Sequence, residues 1–300
     1  MSRLRAPKGQ EGMVLLVTLS AIALLVPLVY AGMESQRFHL RQVQRELELE
    51  TAHRHAESLL SLVVAVVKMD GVQGGAIDHL NEPWAMPITL PDNPDGTTEA
   101  VVEDTSRRWN LNALRKEDGQ PNGELRLVLR RLAAREGLSG SMMERVVEWL
   151  MPTDKMARPE TGGTPLAPEP LHALEELLKL PDWNAEAVRK LAPFVTVDDT
   201  CRNSRLNLNT AALQTLEPLV PEANWQQVVE RRTTTPIAQV TDLAGAGVAL
   251  SPDQSQLLTV GSHCFVAHIR SRVQGSAAML TAWLVRNGTR VTITKTRWDG

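Results

Sequence analysis

The sequence predicts an α+β protein in which a long N-terminal helix packs on a small antiparallel sheet, with a large all-α domain inserted between the strands. Three observations carry this prediction. Residues 13–33 contain no charged side chain, and residues 34–68 continue a helix-forming composition without Gly or Pro. Strand and turn signals fill residues 70–109 and 256–300. Helical periodicity dominates between them, which suggests one sheet with a helical insertion.

The first helix is long enough to cross a membrane and to continue beyond it. At about 1.5 Å per residue, the uncharged run spans a hydrocarbon core of roughly 30 Å. We therefore assign residues 13–33 to a transmembrane half and residues 34–69 to a half outside the membrane. Apolar residues at a loosely helical spacing continue the pattern, namely Phe38, Val43, Leu47, Leu59, Val63 and Val67. A signal peptide cleaved near Tyr30 is the alternative. Such a peptide would be followed by unrelated sequence, whereas here the helical pattern continues.

A basic leader, residues 1–12, precedes the apolar run and includes Arg3 and Arg5. The Gly12-Met13 junction resembles the processing site of type IV pilins and type II secretion pseudopilins. This resemblance implies that a prepilin peptidase cuts after Gly12 and that Met13 becomes the methylated N-terminus. Because basic segments stay in the cytoplasm, we expect a single-pass protein of the bacterial inner membrane with most of the chain in the periplasm.

Composition restricts the function. A net charge of −3 gives no electrostatic argument for nucleic acid or anionic lipid as the main partner. The chain has two cysteines, Cys201 and Cys264, which an oxidising periplasm would allow to persist as a disulfide. Closing that loop would add roughly 4 kcal/mol of stability in the chain-entropy model. The sequence leaves open whether the two residues meet.

The segment after the helix, residues 70–109, is dense in turn formers, beginning with Asp70-Gly71. Residues 86–90 and 97–103 are expected to form a hairpin. At the other end of the chain, Asn287-Gly288 is a strong hairpin-turn signal. The strands expected there are residues 257–260, 264–269, 278–285 and 290–296.

Residues 110–255 are assigned to the inserted helical domain. Helices are expected at residues 123–136, 141–150, 170–180, 184–191, 211–219 and 224–232. A weak internal repeat sits in this region, because Asn110-Leu-Asn112 is echoed by Asn207-Leu-Asn209. Asn is a good helix N-cap, since its side chain accepts from free N–H groups of the first turn.

Several motifs follow one another in an informative order: Gly12-Met13 with its helix, Asn81-Glu-Pro-Trp84, Val102-Glu-Asp104 before Asn110-Leu-Asn112, Val147-Glu-Trp-Leu150, residues 171–180, Asn207 to Ala211, Val229-Glu-Arg-Arg232 and Asp242-Leu243. Together they resemble the general secretion pathway protein K family, the large minor pseudopilins of type II secretion. The resemblance covers nearly the whole chain. It implies a pilin-like fold with a helical insertion and a function that is not enzymatic.

The same resemblance implies a place and a set of partners. The chain would stand at the tip of a periplasmic pseudopilus, nucleate its assembly and support protein export across the outer membrane. Its partners would be the I-type and J-type minor pseudopilins, the major pseudopilin, the prepilin peptidase and the inner-membrane assembly platform. Most pilins carry Glu at the fifth mature position, and here that position is Val17. A subunit without this carboxylate has nothing to neutralise on a subunit ahead of it.

Calcium is the only cofactor that the resemblance suggests, and none is required. Some members of the family bind calcium through acidic loop residues, because hard cations take several oxygen ligands. The candidates here are Glu148, Asp154, Asp198 and Asp199. Solvated acids and helix caps are the simpler interpretation of these residues.

Two alternatives stay open at the level of sequence. The first is a minor pilin of a type IV pilus. The second is a membrane-anchored nucleic-acid-binding protein, because residues 207–244 also resemble a helix-hairpin-helix module. In that module glycine-rich N–H groups face phosphate, whereas here Pro221 removes a donor and Glu222 adds a negative charge. No arrangement of catalytic acid, base or nucleophile stands out, and no enzyme activity is predicted.

Overall fold

The computed structural model describes residues 10–90, 96–151, 169–202 and 205–299. Helix α1, Gln10–Gln73, is continuous over 64 residues, which at about 1.5 Å per residue is roughly 95 Å. It continues through Asp70 and Gly71, which the sequence assigns to a turn. A Cβ at Gly71 would lie 2.8 Å from the carbonyl oxygen of Gly288. This glycine therefore permits a close approach of another segment rather than ending the helix.

The remaining elements follow in chain order. The helices after α1 are α2 Gly123–Arg135, α3 Gly140–Leu150, α4 Ala185–Leu191, α5 Leu213–Leu216, α6 Trp225–Thr234 and α7 Pro252–Gln256. The strands are β1 Ile88–Thr89, β2 Gly96–Asp104, β3 Trp109–Asn110, β4 Val195–Thr196, β5 Leu206–Asn207, β6 Leu258–Thr259, β7 Cys264–Val273, β8 Ser276–Asn287 and β9 Arg290–Asp299.

One antiparallel sheet has the strand order β1-β2-β7-β8-β9. The whole helical region leaves the sheet after β2 and returns before β7, as the sequence predicts. Ile88 pairs with Ala100 and Thr89 with Glu99, which confirms the first hairpin pairing; its turn, residues 91–95, lies outside the described residues. Strands β8 and β9 are joined at Gly288, whose φ of 60° requires the left-handed conformation.

The sheet packs on the second half of α1. The side chains of Ala56, Leu59, Val63 and Val67 are completely buried on one face of the helix. They meet the inward-facing residues of the central strands, which alternate along each strand with exposed residues. The members of this core from the strands are Ala100, Val102, Phe265, Ala267, Ile269, Leu280, Ala282 and Leu284. The core fixes the sheet to the half of α1 that lies beyond the membrane segment.

The inserted domain has its own core and differs from the prediction in three places. The expected strand at 257–260 does not join the main sheet, because β6 pairs in parallel with β5 inside the insertion. The expected helix at 170–180 is only a 3-10 helix, Leu174–Lys179, which lacks a side-chain cap at Ala173. The helix at 211–219 is reduced to α5, since Pro218 follows directly.

The Asn repeat builds two similar units. In the first, β3 pairs in parallel with β4, and in the second, β5 pairs with β6. The first Asn of each copy accepts from the backbone N–H two residues later, as an N-cap does: Asn110 from Asn112 and Asn207 from Asn209. Asn110 thus caps a short 3-10 helix, Leu111–Leu114, as the sequence predicts, whereas Asn207 ends β5 and makes the same hydrogen bond in a turn with no helix directly after it.

Candidate assembly surface

The first half of α1 is an exposed apolar helix. Every large apolar side chain from Met13 to Met33 is at least 55% exposed. The helix is long and apolar enough to cross a membrane, and none of its most apolar stretch is buried in the protein. Leaving such a surface in water would cost about 25 cal/mol for each Å². Lipid or other apolar helices are therefore its natural surroundings.

Beyond the membrane segment, an exposed apolar stripe follows α1. Leu40, Val43 and Leu47 lie three and four residues apart and are 52–70% exposed, so they share one face of the helix. At about 100° per residue, Leu47 lies roughly 140° around the helix from Ala52, which is buried against the sheet. Leu47 borders a groove whose other wall is Val273 and Gln274, where β7 ends, so the stripe runs along the flank of the sheet and stays largely exposed. We call Leu40, Val43 and Leu47 the outer stripe.

The outer stripe is a feature that the sequence analysis missed. The spacing groups Val43 and Leu47 with Leu59 and Val63, as if they formed one buried face. The structure separates them, because Leu59 and Val63 belong to the buried core against the sheet, whereas Val43 and Leu47 are exposed. A helical wheel continued through the whole helix would have revealed the change of face.

The predicted processing and assembly residues lie at the start of α1. The helix begins at Gln10, so the bond between Gly12 and Met13 lies within its first turns. Val17 is exposed on the apolar part, with Val14 and Leu16 equally exposed beside it. This region therefore offers an uncharged surface at the fifth position after Gly12.

The two cysteines are joined. The structure places Cys201 and Cys264 in a disulfide with Cα atoms 6.5 Å apart, across a sequence separation of 63 residues. Cys264 is the first residue of β7, and Cys201 belongs to the loop after β4. The bond therefore ties the first unit of the insertion to the strand by which the chain returns to the sheet.

The described calcium candidates have other partners. Glu148 accepts from Arg145 at 2.9 Å, Asp199 lies 3.0 Å from the His172 ring, and Asp198 Oδ1 accepts from the N–H groups of Thr200 and Cys201. Burial raises the pKa of the Asp198 carboxyl despite these hydrogen bonds.

Two groups of three side chains within the described part of the chain come close enough to share one ion, and neither contains Glu148 or Asp199. One is Asp198 with the two cysteines, whose sulfur atoms are already bonded to each other. Asp154 lies outside the described residues. The described candidates thus do not assemble the oxygen cage that calcium needs, and calcium binding stays a prediction.

The hairpin that resembles a DNA-binding module is used for internal packing. Arg131 on α2 donates to the carbonyl oxygens of Pro218 and Leu219 at 3.2 and 3.0 Å. Trp225 Nε1 donates to the carbonyl oxygen of Val220 at 2.9 Å. The hairpin backbone is thus held against α2 and α6 by protein donors.

Comparisons with known proteins agree with one another. The family model of the type II secretion system (T2SS), protein K, matches residues 107–199, within the inserted domain. The type II secretion system protein K of Pseudomonas aeruginosa is 31% identical over 250 residues, which cover 75% of this chain and 73% of that protein.

The fold has a solved counterpart. A chain from the crystal structure of the GspK-GspI-GspJ complex of enterotoxigenic Escherichia coli superposes with a TM-score of 0.67 and 17% sequence identity. The match covers 86% of this chain and 99% of that chain. Both pilin-like parts and the insertion are thus shared in outline. The chain belongs to the type II secretion system protein K family, the minor pseudopilins with a large inserted helical domain.

Proposed function

We propose that this minor pseudopilin stands at the tip of the type II secretion pseudopilus, where it nucleates assembly and supports export across the outer membrane. The observation that carries the proposal is the position of the inserted domain. Arg286, at the end of β8, donates to Asp70 in the last turn of α1 at 2.6 Å and to the carbonyl oxygen of Ser262 at 2.9 Å. The insertion therefore adjoins the end of α1 farthest from the apolar half.

A subunit stacked ahead would meet this insertion. Residues 105–263 lie outside the main sheet, between β2 and β7, and on this proposal they would occupy the place of a subunit ahead in the filament. Val17 supports the same place. A carboxylate in lipid needs a partner charge, whereas the uncharged Val17 needs no partner charge on a subunit ahead.

The outer stripe offers neighbouring subunits an apolar surface on α1. Leu40, Val43 and Leu47 are apolar, exposed and outside the core between α1 and the sheet, which suits helix-to-helix packing with similar subunits. The related complex from Escherichia coli contains GspI and GspJ. By analogy, the partners of this chain are the I-type and J-type minor pseudopilins, with the major pseudopilin below and the inner-membrane assembly platform at the base.

On this proposal the chain has one orientation in the inner membrane. The basic leader remains cytoplasmic until the prepilin peptidase releases it, residues 13–33 stay in the inner membrane, and the sheet and insertion lie in the periplasm. The protein then acts through binding and shape, without a catalytic site.

Co-purification tests the proposal. The full chain, solubilised in detergent, is expressed with the I-type and J-type proteins of the same bacterium, and a tag on one protein should recover all three. Leu40→Ser with Val43→Ser should weaken recovery, whereas Leu127→Ser, at an exposed apolar position on α2, should leave it unchanged. Failure of the unaltered chain to bind either protein would contradict the proposal.

A further inference from the structure

A buried ionic group lies where the long helix, the sheet and the inserted domain meet. Arg286 is only 5% exposed. Its Nη1 donates to Asp70 Oδ2 at 2.6 Å, and its Nη2 donates to Asp78 Oδ1 and to the carbonyl oxygen of Ser262. One guanidinium thus binds the last turn of α1, the loop that follows it, and the segment that returns from the insertion.

Asp78 extends these contacts into the second Asn unit. Its Oδ2 accepts from the N–H of Ser262 at 2.6 Å, and its own N–H donates to the carbonyl oxygen of Val260 at 2.9 Å. Its carbonyl oxygen accepts from Asn207 Nδ2 at 3.1 Å. The loop after α1 is therefore bonded to β5, to the residue that follows β6 and to Ser262, two residues before β7.

The outgoing crossing is bonded to the same unit. Asp104 ends β2, and its Oδ2 accepts from Thr210 Oγ1 at 2.6 Å and from Ser262 Oγ at 2.5 Å. Asn207 Nδ2 also reaches Ser262 Oγ at 2.8 Å. Both places where the chain passes between sheet and insertion thus share one set of buried partners.

At this junction, backbone atoms of neighbouring segments lie close to two glycines. A Cβ on Gly261 would lie 2.3 Å from the carbonyl oxygen of Ala76. Real Cβ atoms do not come so close to another heavy atom. A Cβ on Gly71 would likewise lie 2.8 Å from the carbonyl oxygen of Gly288 in the β8–β9 turn. Larger residues at either position would push the elements apart.

Buried ion pairs often add little net stability, since desolvation offsets attraction, but they favour one geometry over others. An apolar contact would tolerate small rotations, whereas this guanidinium is satisfied only when three segments meet it at once. We propose that Arg286 is a positioning residue that fixes the orientation of the inserted domain relative to α1. This inference deepens the proposed tip function, since a tip domain needs a defined angle to the filament axis.

The test measures orientation directly in the full chain in detergent. Spin labels are attached at Ser58→Cys on α1 and Gln226→Cys on α6, both exposed positions, with the native disulfide kept oxidised. Double electron–electron resonance should give a single narrow distance distribution for the otherwise unaltered chain. Arg297→Met, which removes an exposed arginine paired with Asp299, is the matched control and should keep that distribution.

Arg286→Met is combined with Asp70→Asn and Asp78→Asn so that neither aspartate is left without the arginine that pairs with it. We expect loss of the single narrow distance while circular dichroism keeps the native helix content. Arg286→Lys, which keeps the charge but lacks the planar fork that binds Asp70, Asp78 and the Ser262 carbonyl oxygen together, should broaden the distribution and covers the case in which the triple variant fails to fold. An unchanged distribution in a folded triple variant, or in Arg286→Lys if the triple variant does not fold, would overturn the proposal.

The measurement needs no partner protein, so its result is independent of the tip function. If the distance changes as expected but the unaltered chain binds no I-type or J-type protein, the positioning role stands and the tip function fails. If the unaltered chain binds its partners and the distance never changes, the positioning role fails alone.

Discussion

The side chain of Asn112 makes two hydrogen bonds to the backbone of Leu171: its Nδ2 donates to the carbonyl oxygen and its Oδ1 accepts from the N–H, each at 2.8 Å. Asn209 does the same to Ile237, at 3.0 and 2.8 Å. The second Asn of each repeat thus fastens a distant segment to the start of its unit. All four side-chain bonds are buried.

Removing one of these side chains leaves two buried backbone groups without a partner. Each such group costs about 1–3 kcal/mol, so Asn209→Ala should lower the free energy of unfolding by roughly 3 kcal/mol. Urea unfolding followed by circular dichroism measures the change. Asn81→Ala is the control, because Asn81 makes one exposed bond to Thr233; equal losses for the two variants would contradict the account.

The disulfide should stabilise the fold by limiting the unfolded chain. For a separation of 63 residues, the expected contribution is about 2–4 kcal/mol. Cys201→Ser with Cys264→Ser should therefore lower the thermal midpoint by roughly 5 to 10 °C. A reductant should produce a similar drop in the unaltered protein and none in the double variant; a reductant-sensitive double variant would show that another cause is at work.

Asp104 gives a pH prediction with a definite sign. Burial raises its pKa above the ordinary value of 3.8, against the hydrogen bonds of Ser262 and Thr210. The folded state then holds the proton more tightly than the unfolded state. The stability of the protein relative to Asp104→Asn should fall as the pH rises from about 4 through the folded pKa, by at most about 1.4 kcal/mol per pH unit. Urea unfolding of both proteins between pH 4 and 8 measures this difference, and a difference that grew with pH would contradict the prediction.

Processing gives a prediction about mass. In a host with the prepilin peptidase, the mature chain should begin at Met13 with a methylated amine. Gly12→Val should leave the leader in place, while Gly32→Val, at an exposed helix position with open space around it, should be processed normally. Intact-protein mass spectrometry distinguishes these results, and an unaltered chain that kept its leader would count against pseudopilin processing.

Local signals made much of the fold predictable. The length of α1 to within a few residues, the pairing of β1 with β2 and the β8–β9 hairpin at Asn287-Gly288 depend on neighbours in sequence, and the structure contains all of them. The parallel pairing of β5 with β6 was not predictable, because each strand has two residues and its partner lies about fifty residues away.

Sites built from distant residues were the hardest to predict. Arg286 meets Asp70 and Asp78 across 216 and 208 residues, and nothing in its own neighbourhood marks it as buried. The cysteine pair was a candidate only because the chain has two cysteines. The outer stripe was missed because Val43 and Leu47 were placed in one loosely helical series with Leu59 and Val63, although they lie on another face of the helix.

Labelling the chain in assembled pseudopili tests the central claim most directly. A single tag at an exposed residue of the insertion, such as Gln226 on α6, is detected by immunogold electron microscopy on filaments from a strain that still secretes. The account predicts gold at one end of each filament and none along the shaft. Gold distributed along the shaft would contradict a tip position, because the inserted domain would then be compatible with subunits stacked ahead of it.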